Sequence, residues 1–163
     1  MKGVTLIELI CVLAILSISS LIAAPAFDRL IQEQRVVHST NRIIGLMQLG
    51  RSEALSVGEV MLCDARLDCS DFEHTDALAL YRTDGAQNPE KPFITRLELP
   101  EGVSVRWRRF RGNALIFRYD GRAHYQNGHF FVCNRHAARK IIMSWSSHAR
   151  IEKSAPDEDC STI

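Results

Sequence analysis

The hydrophobic pattern of this chain changes twice. From Val4 to Phe27 the residues are apolar, small or hydroxyl-bearing, and Glu8 is the one charge among them. About 20 apolar residues in a helix span the hydrocarbon core of a bilayer, so the stretch is long enough to cross one. Phe27, Leu30, Val37, Ile44, Met47 and Ala54 then recur at spacings of three, four or seven. That is the period of an amphipathic helix, and Gly58 is its stop signal. One helix from Val4 to about Val57 would be roughly 80 Å long at 1.5 Å per residue. Pro25, which lacks a backbone donor, is expected to kink or loosen it near Leu21. Beyond Gly58 the period shortens. "EVMLC", "ALALYR", "FITRLEL", "VSVRWRRF", "ALIFRY", "HFFVC" and "KIIMSW" read as strands, and Asp84-Gly85, Gly112-Asn113, Asp120-Gly121 and Asn127-Gly128 read as turns. "IFRYDGRAHYQNGHFFVC" reads as consecutive hairpins. The fold class expected is α+β: a long N-terminal helix packed against a small antiparallel head of one or two sheets.

Composition adds an asymmetry. The 163 residues carry a net charge of only +1. Residues 103–153, however, hold eleven Lys or Arg against Asp120 and Glu152, whereas residues 58–101 hold ten acids against four basic residues. A basic half beside an acidic half can orient partners, or it can serve as solvated or intersubunit surface. Of five cysteines, Cys11 lies in the apolar run. Cys63, Cys69, Cys133 and Cys160 allow three pairings if the head faces an oxidising compartment.

The apolar start is not an ordinary secretory signal. It is too long, and the small residues Ala23-Ala24-Pro25-Ala26 have a proline where a cleavage junction would lie. Lys2 and the amino terminus put positive charge on one side, which predicts a cytoplasmic N-terminus and a head beyond the inner membrane. Glu8 is then the anomaly. An acid at the centre of a membrane helix costs roughly 2.5–3.5 kcal/mol, and such residues are functional candidates; nearer the interface it could snorkel.

Gly3 followed by "VTLIEL" resembles the type III signal of type IV pilins and pseudopilins. The resemblance implies that prepilin peptidase cuts after Gly3, that Val4 becomes the N-methylated first residue, and that Glu8 serves assembly. There its carboxylate pairs with the Val4 amine of a neighbouring subunit. Val4 stands where the family usually has phenylalanine. The implied divisions are a leader over residues 1–3, a transmembrane half-helix over 4–27, an amphipathic half-helix over 28–57 and a β-rich head over 58–163.

Within that class "NRIIGLMQLGRSEALSVGEVMLC" is similar to the GspH/FimT family, whose helix ends in Ala-Arg-Ser-Glu-Ala before a first strand ending in cysteine. Gly50 replaces the alanine here, while Arg51, Ser52, Glu53 and Ala54 fit. "LIFRYDGRAHYQNGHFFVCN" resembles the family's phenylalanine-x-x-x-glycine hairpin, and "RKIIMSWSSHARIEK" its closing strand. The resemblance implies a minor pilin or pseudopilin of a type IV pilus or of a type II secretion pseudopilus. Its partners would be other pilins, the prepilin peptidase and the inner membrane. Some members bind DNA through a closing Gly-Arg-x-Arg loop. Here the matching residues are Ser147, His148, Ala149 and Arg150, so only Arg150 keeps its charge at pH 7.

"RWRRFRG" supplies further cations. By strand alternation Arg106, Arg108 and Phe110 would share one face, with Trp107, Arg109 and Arg111 on the other. Arginine suits phosphate and aromatics suit base stacking, so this run is a second candidate DNA surface. Cys133-x-x-His136 with Cys63 and Cys69 could hold zinc, but disulfides are the expected use. Cys63–Cys69 is a local C-x5-C pair, and Cys133 and Cys160 flank the closing strand; these are the pairings we favour. Scattered Ser, His and Asp make no triad, and no phosphate loop is present. The expectation is therefore a non-enzyme without cofactor or metal.

Overall fold

The computed structural model describes residues 5–66, 69, 74–83, 93–155 and 160. Gly3, Val4 and the Asp84-Gly85 turn lie outside these.

A single helix, α1 (Leu6–Val57), spans 52 residues. Thr5 caps its start, its Oγ1 accepting from the Glu8 backbone N–H at 3.4 Å. Gly58 ends it at φ 103°, in the left-handed region, and its N–H donates to the Ala54 carbonyl. The helix continues through Pro25. Its buried residues are Val36, Ser39, Thr40, Ile43, Leu46, Met47, Gly50 and Ala54. This arc is centred one position before the one expected. Met47 and Ala54 lie within it, Val37 and Ile44 lie at its margin, and Phe27 and Leu30 are 64% and 52% exposed. Ser39, Thr40 and Gly50 conceal the arc from a hydrophobicity pattern. Thr40 is admitted because its hydroxyl donates to the Val36 carbonyl at 2.7 Å. Gly50 is admitted because the helix lies close against the first sheet there: a Cβ would stand 3.0 Å from both Leu80 and Phe117.

Nine strands occur among the described residues, in two antiparallel sheets. Strands β4 (Phe93–Glu98), β3 (Ala77–Arg82), β1 (Val60–Asp64) and β6 (Ala114–Phe117) form the first, in that order. Strands β2 (His74–Thr75), β5 (Ser104–Arg108), β7 (Gly128–Cys133), β8 (Ala138–Met143) and β9 (Ala149–Ser154) form the second. Inner residues of both sheets, such as Leu62, Leu80, Phe117, Phe130 and Ile141, join Val36, Ile43 and Met47 of α1 in one core. Seven strands were expected. The additional ones are the two-residue β2 and the polar edge strand β9.

The expected consecutive hairpins over 116–133 do not form. Strand β6 pairs with β1 and β7 with β5 and β8, so the chain crosses between sheets. Only residues 117–123 close a tight turn, with Gly121 at φ 72° and its N–H donating to Arg118 O at 2.7 Å. The following residues cover the free edge of β6. His124 N–H donates to Ile116 O, and the Gln126 side chain bonds Ile116 N–H, Arg111 O and Ala114 O. This satisfies an edge that would otherwise invite another strand.

Candidate functional site

The N-terminal half of α1 stands clear of the head. Every side chain from Thr5 to Ile31 is exposed, and the apolar window within the helix is entirely unburied. Its serines do not spoil it for lipid, because Ser17, Ser19 and Ser20 donate to backbone carbonyls three or four residues earlier at 2.7–2.9 Å. Glu8 lies in the first turn, three residues after the Thr5 cap. Thr5-x-x-Glu8 is thus the spacing of a capping box, and the helix dipole favours an anion there.

The end of α1 explains the Arg-Ser-Glu-Ala stretch. Ala54 is buried, Glu53 approaches Arg82 at 3.9 Å, and Arg51 with Leu55 lies over Gly121, within 3.2 Å of where a Cβ would be.

Disulfides join Cys63 to Cys69 and Cys133 to Cys160, so all four sulfurs are engaged with one another. Among the described residues no group of three His, Cys, Asp or Glu is placed to hold a metal. The bond to Cys133 seats Cys160 on the outer face of the second sheet, against Phe131 and Ala138.

The expected alternation of "RWRRFRG" fails after Arg108. Arg109 takes φ 65°, which turns the chain and sends Phe110 to the Trp107 side. The Phe110 ring lies 4.0 Å from that of Trp107 and 5.1 Å from that of Phe130. Arg106 and Arg108 do share the outer face. Through the strand registers, one row across this face reads Arg108, His129, Ile142, Arg150. The next reads His74, Arg106, Phe131, Lys140, Glu152. Arg150, 42 residues beyond Arg108 in sequence, is thereby brought to the same face. Its Nη2 lies 2.7 Å from Glu152 Oε1. His148 is exposed in the β8–β9 turn, where Ser147 takes φ 62°, a conformation glycine adopts more readily. Arg111 is exposed in the loop after β5.

The sequence reading missed the aromatic residues beside that turn. Trp145 and Tyr125 are exposed and line a small pocket with Arg118 and Arg122. The Arg122 guanidinium stacks 5.1 Å from the Trp145 ring centre. Ala123 N–H donates to Trp145 O, and Asn127 Oδ1 accepts from Trp145 N–H at 2.6 Å. The isolated aromatic residues were visible in sequence; their shared neighbourhood comes from these loop contacts.

An exposed apolar N-terminal helix joined to a two-sheet head is the architecture of pilin-like proteins. Residues 39–147 match the family described as type II transport protein GspH, and residues 1–24 match the prokaryotic N-terminal methylation motif. The chain belongs to the GspH family. A solved structure, the minor pseudopilin EpsH from the type 2 secretion system of Vibrio cholerae, shares the fold with a TM-score of 0.52. Identity is 13%, over 73% of this chain and 97% of that one. No curated protein sequence matches at a significant level.

Proposed function

We propose that this chain is a minor pilin or pseudopilin, inserted in the inner membrane, cut after Gly3, methylated on Val4 and built into the tip or initiating complex of a filament. The leader, membrane-spanning, amphipathic and head segments divide at residues 3, 27 and 57. The observation that carries this reading is the uncovered apolar half of α1, with Glu8 as its only charge. Once in lipid, that acid lacks a counter-charge among the side chains of its own span, and the amine of Val4 on a neighbouring subunit would supply one.

Substitution of Gly3 by leucine is expected to block processing; the wild type should show an intact mass lacking Met1–Gly3 and carrying one added methyl. Glu8 separates two roles. Glutamine also completes a capping box, so Glu8→Gln preserves a purely local role but removes the charge. Both Glu8→Ala and Glu8→Gln are expected to insert normally and to be lost from filaments. Normal incorporation of Glu8→Gln would reduce Glu8 to a helix cap.

A second reading, capture of DNA, is favoured by the common face of Arg108 and Arg150 and by the Arg122–Trp145 stack beside His148. Binding of duplex DNA is expected to be weak and to fall steeply with salt as arginines displace counterions. Arg150→Ala should weaken it and reduce the salt slope by about one. His148→Arg should strengthen it by supplying a permanent charge. Equal inertness of all three proteins in gel shifts at low salt would assign this face to subunit packing.

A further inference from the structure

A cleft of about 370 Å³ lies between α1 and the loops at the end of the head nearest the apolar span. Asp28, Gln32 and Arg35 form its helix wall, Glu101 lies on the β4–β5 loop, and Arg135 and His136 on the β7–β8 turn. Asn134 builds the junction. It is buried, its Oδ1 accepts from the His136 and Ala137 N–H groups, and its Nδ2 donates to the Gln32 carbonyl at 2.7 Å. The turn carrying Arg135 is therefore held against the helix.

The charges in this cleft have an unusual arrangement. Both signs are present, yet among the described residues none of Asp28, Arg35, Glu101 or Arg135 makes an ion pair. All four side chains are exposed. Two cations and two anions line one opening without neutralising one another. Its height is also defined. Asp28 is the first charge after the apolar run, and Gln32 and Arg35 stand about 6 and 10 Å further along the helix axis at 1.5 Å per residue. The headgroup layer on each side of a bilayer is roughly 5–8 Å thick. The lower wall of the cleft thus stands at headgroup level.

We infer that this cleft receives the headgroup of a zwitterionic phospholipid, its phosphate bound by Arg35 and Arg135 and its ammonium by Asp28 and Glu101. A headgroup with phosphate and amine satisfies both signs, whereas a purely anionic headgroup would leave the two carboxylates facing its phosphate. Arginine offers paired N–H donors to phosphate oxygens. The inference rests on the membrane-anchored reading above.

The test uses the full chain in a mild detergent, titrated with phosphatidylethanolamine or phosphatidylglycerol of matched acyl length and followed by native mass spectrometry. Wild type is expected to retain phosphatidylethanolamine in preference to phosphatidylglycerol. The Arg35→Gln/Arg135→Gln protein should lose about tenfold or more in retention of both lipids, since two charge-assisted contacts are removed. The Asp28→Asn/Glu101→Gln protein should lose the preference while still holding phosphatidylglycerol. Equal retention by wild type and the arginine variant, or a wild-type preference for phosphatidylglycerol, would overturn the site. Carbonate extraction of cell membranes tests the anchored reading separately: release of the chain into the soluble fraction would overturn that reading and the inference with it, whereas a membrane-retained chain without lipid preference overturns the site alone.

Discussion

Replacing Gly128 by alanine is expected to lower the stability of the head by about 2–4 kcal/mol, the range of overpacking combined with loss of a half-buried aromatic. The added methyl carbon would stand 2.3 Å from Phe110 Cδ2 and 2.5 Å from two further ring carbons. The ring cannot simply slide aside, since Trp107 and Phe130 flank it at 4.0 and 5.1 Å. Nor is the backbone at fault: Gly128 is not among the glycines with positive φ, so space is the constraint. Expulsion of Phe110 would also forfeit its ring contacts, each worth about 0.5–1.5 kcal/mol beyond area burial. Urea unfolding of the detergent-solubilised chain, monitored by circular dichroism, measures the loss. Phe110→Ala removes the obstacle at its own cost, so the double variant should be distinctly more stable than the two single losses added together. Strict additivity would mean that the ring and the glycine do not meet.

Gly128 also shows where the sequence could and could not be read. Asn127-Gly128 has the form of a hairpin turn, but the glycine opens β7 and serves as the floor beneath an aromatic ring. Turn chemistry signals that the chain can bend; it does not state which sheet the next strand joins. That is why β6 and β7 looked like neighbours. The apolar start of α1, by contrast, was legible because its length and lack of charge are one-dimensional properties. Core strands such as β3 and β7 were legible because buried apolar residues dominate them. Strand β9 was not, because its outer positions, Arg150, Glu152 and Ser154, are polar and its inner ones lie at a sheet edge.

The proposed sites divide along the same line. Glu8 and Gly3 stood out because the motif they resemble occupies a few residues of contiguous sequence. The row joining Arg108 to Arg150 depends on three strand registers, and the cleft beneath the head joins Asp28 and Arg35 to Glu101 and Arg135 through tertiary packing alone. Arg109 adds a local obstacle. One positive φ, at Arg109, moved Phe110 to the face opposite the expected one, and an arginine gives no warning of that conformation.

Removing the Cys133–Cys160 bond is expected to cost the head more than removing Cys63–Cys69. The sequence separations are 27 and 6 residues, for which the chain-entropy relation gives about 3.6 and about 2.2 kcal/mol respectively. Location widens the gap. Cys160 is buried against Phe131, Cys133 and Ala138 on the outer face of the second sheet, so its release uncovers Phe131, whose ring is otherwise almost fully shielded. Cys69, in contrast, closes a short loop beside β1, which is held independently by its backbone pairing with both β3 and β6. Cys133→Ala/Cys160→Ala should therefore unfold at a lower urea concentration than Cys63→Ala/Cys69→Ala, by a difference equivalent to about 1–2 kcal/mol. A hydrophobic dye should bind the first variant more strongly, through the uncovered face around Phe131. Equal midpoints would show that the unfolded chain is too compact for loop length to matter. The reverse order would place the larger contribution in packing around Cys63, which is fully buried and whose truncation leaves a void in the first sheet.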